Sequence, residues 1–168
     1  MPWPMRPAVE ADLPQINDMV NYFIRETTVN WSYEERTMEE AQAWFCAHQP
    51  PFHPIYVIEQ EGQIVAFGSL SAFRPKPGYW PVAENSIYVR EPYKGKGMGK
   101  AIMQRLIEDG KKSGLRVITA WVDADNADSV RFHERLGFQR VGEMRDIGEK
   151  FGRRLGVVIL NLNLEESK

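Results

Sequence analysis

The spacing of apolar residues shifts several times along the chain, and each shift marks a different kind of element. From Asp12, residues Leu13, Ile16, Val20 and Phe23 recur at the interval of one helix face, with Asp12 placed as N-cap and Pro14 tolerated in the first turn. Thr37-Met38-Glu39-Glu40 has the form of a capping box. Ala41, Trp44, Phe45 and His48 continue the helical interval until Pro50-Pro51 stops it. The runs IYVIEQ and QIVAFGSLSAF are β-rich and separated only by Glu61-Gly62, which predicts a hairpin. RPKPGYWPVA is punctuated by prolines and glycine and reads as a loop. ENSIYV is the next strand, and Ala101 to Lys112 a helix with Ile102, Met103, Leu106 and Ile107 on its inner side. VITAWV is again a strand, DADN a turn, Ala127 to Leu136 a helix ended by Gly137, and GVVILNLNL a last strand. A first strand near Met5 to Ala8 is poorly marked. With no repeat, low-complexity tract or linker, the expectation is one α/β domain over residues 1–168.

Composition narrows the function. A chain of 168 residues can bury a real core, and its shares of 43% hydrophobic and 26% charged residues are those of a soluble globular protein. The net charge of −2 supplies no basic field for nucleic acid. The start, MPWPMRPAVEADL, lacks a positive segment followed by an apolar one and contains nothing long enough to span a membrane. A soluble, unexported, cytoplasmic protein is expected. The single cysteine, Cys46, cannot form an internal disulfide, in keeping with a reducing compartment. No metal is expected.

The stretch YKGKGMGK, Tyr93 to Lys100, sits between an apolar run and a helix, where glycine weakens either element. Its placement makes sense as an anion site. The first turn of a helix presents unpaired N–H groups and a partial positive charge, and glycines let phosphate oxygens approach the backbone. Two familiar phosphate loops can be tested directly. A dinucleotide fingerprint starting at Gly95 and Gly97 requires glycine where Lys100 stands, and a nucleoside-triphosphate loop ending at Gly99-Lys100 requires glycine at Lys94 and Ser or Thr at Ala101. Neither fits. A tight turn without ligand is the plain alternative.

The remaining pattern, Lys94-x-x-Gly97-x-Gly99, resembles the pyrophosphate loop of the GNAT superfamily of acyl-CoA N-acyltransferases, (Gln/Arg)-x-x-Gly-x-(Gly/Ala). Lys94 departs from it, keeping the charge but losing the planar fork. Downstream, Asn126, Ser129, His133, Gly137 and Phe138 are similar to the family's Asn-x-x-(Ala/Ser)-x-x-x-(Tyr/His)-x-x-x-Gly-Phe signature. Within the superfamily, AENSIYV and SVRFHERLGF look most like the phosphinothricin and methionine sulfone acetyltransferases. The resemblance implies a mixed, mostly antiparallel, splayed sheet flanked by helices, with acetyl-CoA as co-substrate. Its diphosphate would lie on Lys94, Gly95, Lys96, Gly97, Met98, Gly99 and Lys100, with Asn126 and Ser129 nearby and the acyl arm along Ile87, Tyr88 and Val89. It also implies a homodimer. Asn126 independently suits a helix cap.

Acetylating an amine requires it to be neutral when it attacks, so a base is needed. Strand alternation puts Glu84, Ser86 and Tyr88 on one side, and the resemblance assigns Glu84 as base and His133 as acid or second base. A solvated carboxylate and a packed histidine are the plainer alternatives. A zwitterionic amino-acid analogue needs a cation for its carboxylate. Arg74 is the first choice and Arg36 the second, with Tyr33 and Tyr79 as pocket walls. Gly148 to Gly156 form a basic turn that resembles the family's dimer-side substrate loop, or else a solvated hairpin tip. Cys46 is far along the chain from both motifs, which favours direct attack over an acetylated enzyme. The rivals are a GNAT enzyme for another amine (a protein N-terminus, polyamine or antibiotic) and a non-catalytic coenzyme A sensor.

Overall fold

The computed structural model describes residues 3–165, which form one seven-stranded sheet with helices on both faces. In chain order the elements are β1 (Met5–Pro7), α1 (Leu13–Glu26), α2 (Met38–Ala47), β2 (Ile55–Gln60), β3 (Gln63–Ala72) and β4 (Val82–Val89). Then come α3 (Met98–Ser113), β5 (Val117–Asp123), α4 (Ala127–Arg135), β6 (Gln139–Lys150) and β7 (Arg153–Asn163). Strands lie in the order β1-β2-β3-β4-β5-β7-β6, and every neighbouring pair is antiparallel except β4 with β5.

Local signals account for most of these boundaries. Thr37 Oγ1 accepts from the Glu40 amide at 3.1 Å while Glu40 Oε2 accepts from the Thr37 amide at 2.8 Å, closing the capping box. Glu61 and Gly62 both take positive φ, 49° and 78°, the pairing a two-residue hairpin turn requires. Asp12 occupies the expected N-cap position of α1, but its side chain makes no capping bond to that helix. Its carboxylate accepts from the Val9 amide and pairs with Arg6 at 2.8 Å, so it anchors β1 to the start of α1 instead. Helix α3 begins at Met98 rather than Ala101, so Gly99 and Lys100 belong to its first turn.

Two cores sandwich the sheet. On one face, Ile102, Met103 and Leu106 of α3 are fully buried against Ile118, Ala120 and Leu160, each contributing about 2 kcal/mol by burial. On the other, Ile16, Val20 and Ile24 of α1 pack on Val57 and Phe67. Gly68 in β3 lets α3 approach closely, since a Cβ there would stand 2.5 Å from Ile102 Cγ2 and 3.2 Å from the Ser86 carbonyl oxygen. Gly68→Ala is expected to cost about 1–3 kcal/mol through overpacking, read as a lowered midpoint in thermal unfolding.

The strand β6 is absent from the sequence reading, which passed from the Gly137 stop directly to the last strand. It is solvent-exposed along almost its whole length and turns into β7 through Phe151-Gly152, both at positive φ. The basic turn expected at Gly148 to Gly156 is therefore a hairpin tip, but not a fully solvated one. Lys150 is only 4% exposed, and its Nζ donates to the carbonyl oxygens of Ile24 at 2.6 Å, Thr27 at 2.8 Å and Asn30 at 2.5 Å. The lysine closes the C-terminal end of α1, where backbone carbonyls lack helical partners.

Candidate active site

The sheet splits at its centre. Strands β4 and β5 pair only at Val82↔Val117, Ala83↔Ile118 and Glu84↔Thr119, although β4 continues to Val89 and β5 to Asp123. On its other edge β4 stays paired with β3 through Val89. The β5-facing edge from Asn85 to Val89, which includes Ile87 and Tyr88, is thus left without a strand partner. Such an edge offers a row of main-chain donors and acceptors to an extended ligand.

The glycine loop stands at the end of that edge. Gly95 and Gly97 take positive φ, 75° and 88°, and Gly97 serves as the N-cap of α3. No side chain caps this helix, unlike α2 with Thr37 and α4 with Asn126, so its first-turn amides are left for an anion. A Cβ at Gly95 would meet nothing within 4 Å, leaving backbone open to approach. Lys96 and Lys100 border a surface hollow of about 460 Å³ beside this turn, with Trp3, Gly97 and Arg105. Lys94 is turned elsewhere. Its Nζ pairs with Glu91 at 2.6 Å and lies 5.4 Å from the Phe23 ring centre. These features fit coenzyme A: amides for a diphosphate, flanking cations, and a split edge for the acyl arm.

Glu84 marks the fork. It is half-buried on the face covered by α1 and α2, as are Ser86 and Tyr88, and burial raises its carboxyl above the ordinary range while the Arg74 charge opposes the rise. Arg74 lies over the rings of Phe73 and Trp121, at 4.7 and 5.4 Å. Tyr79 meets Phe73 edge-on at 5.7 Å, on the same side. Tyr33 does not join this group. It is 69% exposed, and its hydroxyl donates to the Glu149 carbonyl oxygen at the hairpin tip.

His133 approaches the fork from the opposite face and does not meet Glu84. It is 6% exposed, between Phe132 and Phe138, and burial lowers its pKa. Nδ1 lies 2.7 Å from the Ser129 carbonyl oxygen and Nε2 lies 3.3 Å from Asn85 Oδ1, while Asn85 Nδ2 donates to the Thr119 carbonyl oxygen at 3.3 Å. Both ring nitrogens therefore face acceptors. A neutral imidazole has one N–H and satisfies one of them; an added proton completes the second. Asn126 caps α4, its Oδ1 accepting from the Ser129 amide at 3.2 Å, which realises the capping role.

Sequence reasoning missed Asn85, which ties the two strands together where their ladder ends. It also missed a shared property of one sheet face. Among the described residues, four buried side-chain polar atoms lack a hydrogen-bond partner: Arg36 Nη2, Ser69 Oγ, Trp121 Nε1 and Asn161 Oδ1. Strand alternation puts Ser69, Trp121 and Asn161 on the face of Glu84, and Arg36 covers that face over Trp44 at 4.9 Å. Unpartnered buried polar atoms are few in native proteins, and these four share one face.

The fold and the split sheet define an acyltransferase class, and the comparisons agree. The family model described as Acetyltransferase (GNAT) family matches residues 16–138, and the chain belongs to that family. It is 36% identical over 165 residues to an L-methionine sulfoximine/L-methionine sulfone acetyltransferase of Pseudomonas paraeruginosa, covering 98% of this chain and 96% of that one. It is 33% identical over 152 residues to a phosphinothricin N-acetyltransferase of Streptomyces coelicolor, covering 89% of each. Among solved structures, a GNAT superfamily phosphinothricin acetyltransferase from Sinorhizobium meliloti in complex with acetyl-CoA superposes with a TM-score of 0.92. That match has 27% identity and covers 97% of this chain and 89% of the other. The chain is an acyl-transferring enzyme.

Proposed function

We propose that this enzyme moves the acetyl group of acetyl-CoA onto the α-amino group of a small amino-acid analogue of the methionine sulfone, methionine sulfoximine or phosphinothricin type, with both substrates bound at once. The observation that carries the reading is the split between β4 and β5, with Glu84 on one side of its apex and His133 on the other. Acetyl-CoA, when bound, supplies an activated acetyl thioester. The amides of Met98, Gly99 and Lys100 would hold its diphosphate, and the free edge of Asn85 to Val89 would align the acyl arm and offer donors to its carbonyl oxygen.

Glu84 takes the proton from the substrate ammonium. Burial raises its proton affinity above that of an ordinary glutamate, which makes it a stronger base. His133, when protonated at both ring nitrogens, gives its Nε2 proton to the departing thiolate and takes up the second proton lost by the nitrogen as the amide forms, and Asn85 Oδ1 accepts from that N–H in the meantime. Arg74, with Trp121 Nε1 nearby, takes the substrate carboxylate. Exposed Cys46 on α2 takes no part.

The test mixes protein and acetyl-CoA with phosphinothricin, methionine sulfone, free proteinogenic amino acids and polyamines, following thiol release. Turnover is expected with the first two and much less with polyamines. Tight coenzyme A binding with no release from any of them overturns the reading in favour of a sensor.

A further inference from the structure

Arg36 is held with unusual care for a residue in a connecting segment. Its amide donates to Asn21 Oδ1 at 2.7 Å, and its carbonyl oxygen accepts from Asn17 Nδ2 at 2.8 Å and Asn21 Nδ2 at 3.0 Å. Its Nε donates to Asn17 Oδ1 at 2.7 Å, and the guanidinium lies over Trp44. Two asparagines of α1 thus fix both backbone and head group. The only side-chain hydrogen bond of this cation among the described residues goes to a neutral amide, and Nη2 is buried with no partner. Fixing a guanidinium and leaving one fork unpaired makes physical sense when an acceptor arrives from outside.

Ser69 is the second observation. It is 1% exposed, and its Oγ has no partner. It lies on β3 between Phe67, which meets Trp44 at 6.1 Å, and Ser71, whose Oγ is 2.7 Å from His48 Nε2. The His48 ring is 4.7 Å from Trp44 in turn. Trp44 therefore contacts Arg36, contacts Phe67 beside Ser69, and reaches Ser71 on its other side through His48, so Arg36 and the Ser69 position share one covering ring. Ser71 is opposite Glu84 and Ser69 opposite Ser86, so Ser69 lies two residues, about 6–7 Å, along the sheet from the base. That is the reach of a short amino-acid side chain whose α-amino group sits at Glu84. Arg74 and Trp121 Nε1 border Glu84 separately, so donors are present at two places.

We infer that Arg36 and Ser69 form the side-chain end of the acceptor site and select acceptors ending in an oxygen-bearing group, an anionic phosphinate above a neutral sulfone. The inference rests on the acetyltransferase reading above. A site built to hydrogen-bond a substrate group discriminates strongly against analogues that lack it, because its own buried donors stay unpaired.

The experiment compares wild type, Arg36→Met and Ser69→Ala with three acceptors: phosphinothricin, methionine sulfone and norleucine. Methionine retains apolar cover on Trp44 while removing the guanidinium. For Arg36→Met, kcat/KM is expected to fall about 100-fold with phosphinothricin and about 10-fold with methionine sulfone, mostly through KM, and to rise with norleucine, whose apolar end no longer leaves a guanidinium unpaired. Ser69→Ala should show the same order with about 5-fold losses. Acetyl-CoA affinity should be unchanged in both. An equal loss with all three acceptors, or no loss, overturns the inference and leaves Arg36 as a strut, while wild-type turnover of phosphinothricin still upholds the acetyltransferase reading. If wild type turns over none of the three, that reading fails. Titration calorimetry of phosphinothricin into the coenzyme A-loaded protein then decides the inference: binding lost in Arg36→Met supports it, and binding that is absent from wild type or equal in the variant ends it.

Discussion

Glu84→Gln is expected to lower turnover by 10²–10⁴ near neutral pH, about 3–5 kcal/mol of barrier, while coenzyme A binds as before. The amide keeps the shape and removes the proton acceptor. The sign of the pH dependence follows from the environment of the carboxyl. Burial raises its pKa, with Arg74 opposing, so wild-type activity should rise with pH through a midpoint above that of an ordinary glutamate as the carboxylate forms. The variant has no such group and depends on the fraction of acceptor already neutral. Its deficit should be largest below pH 8 and shrink at higher pH. A pH profile of kcat/KM for both proteins checks this, and equal turnover below pH 8 removes Glu84 from the mechanism.

Lys150→Met should produce the largest loss of stability among single substitutions at the hairpin tip. Methionine fills similar space but leaves the buried carbonyl oxygen of Ile24 and the partly buried ones of Thr27 and Asn30 without their shared donor. Bonds to a charged donor contribute more than neutral ones, and orphaned acceptors carry a desolvation penalty, so about 3 kcal/mol is expected. For a chain of this size that corresponds to roughly 10 °C in the unfolding midpoint. Lys150 holds the segment after α1, which also carries Trp31 against Gly148, where an added Cβ would come within 2.5 Å of the indole. A midpoint within 2 °C of wild type would show that water replaces the ammonium there.

Elements with a strong local signature were legible in the sequence. The Thr37 capping box, the Glu61-Gly62 turn and the apolar faces of α1 and α3 depend on neighbours within a few residues, and the structure retains them. The glycine loop was readable because only glycine meets its backbone demands. By contrast β6 was invisible. The run QRVGEMRDIGEK has no alternating apolar face, because an exposed edge strand buries almost nothing, and its pairing depends on β7 downstream. Lys150 carries no local sign of burial; the carbonyls that hold it lie 120 to 126 residues earlier. The acceptor face was half legible. Glu84 and Arg74 come together, but Arg36 and Ser69 acquire meaning only when helix α2 lays Trp44 across the sheet.

The unpaired edge from Asn85 to Val89 has a consequence for how such an enzyme changes over time. On the proposed reading its grip on the acyl donor would be written in peptide groups, which every residue type supplies, so substitutions along it would leave that grip largely intact. Selectivity for the acceptor would then be dispersed over side chains from separate stretches of chain, each replaceable alone. New amines can therefore be recruited one codon at a time without relearning how to use the thioester.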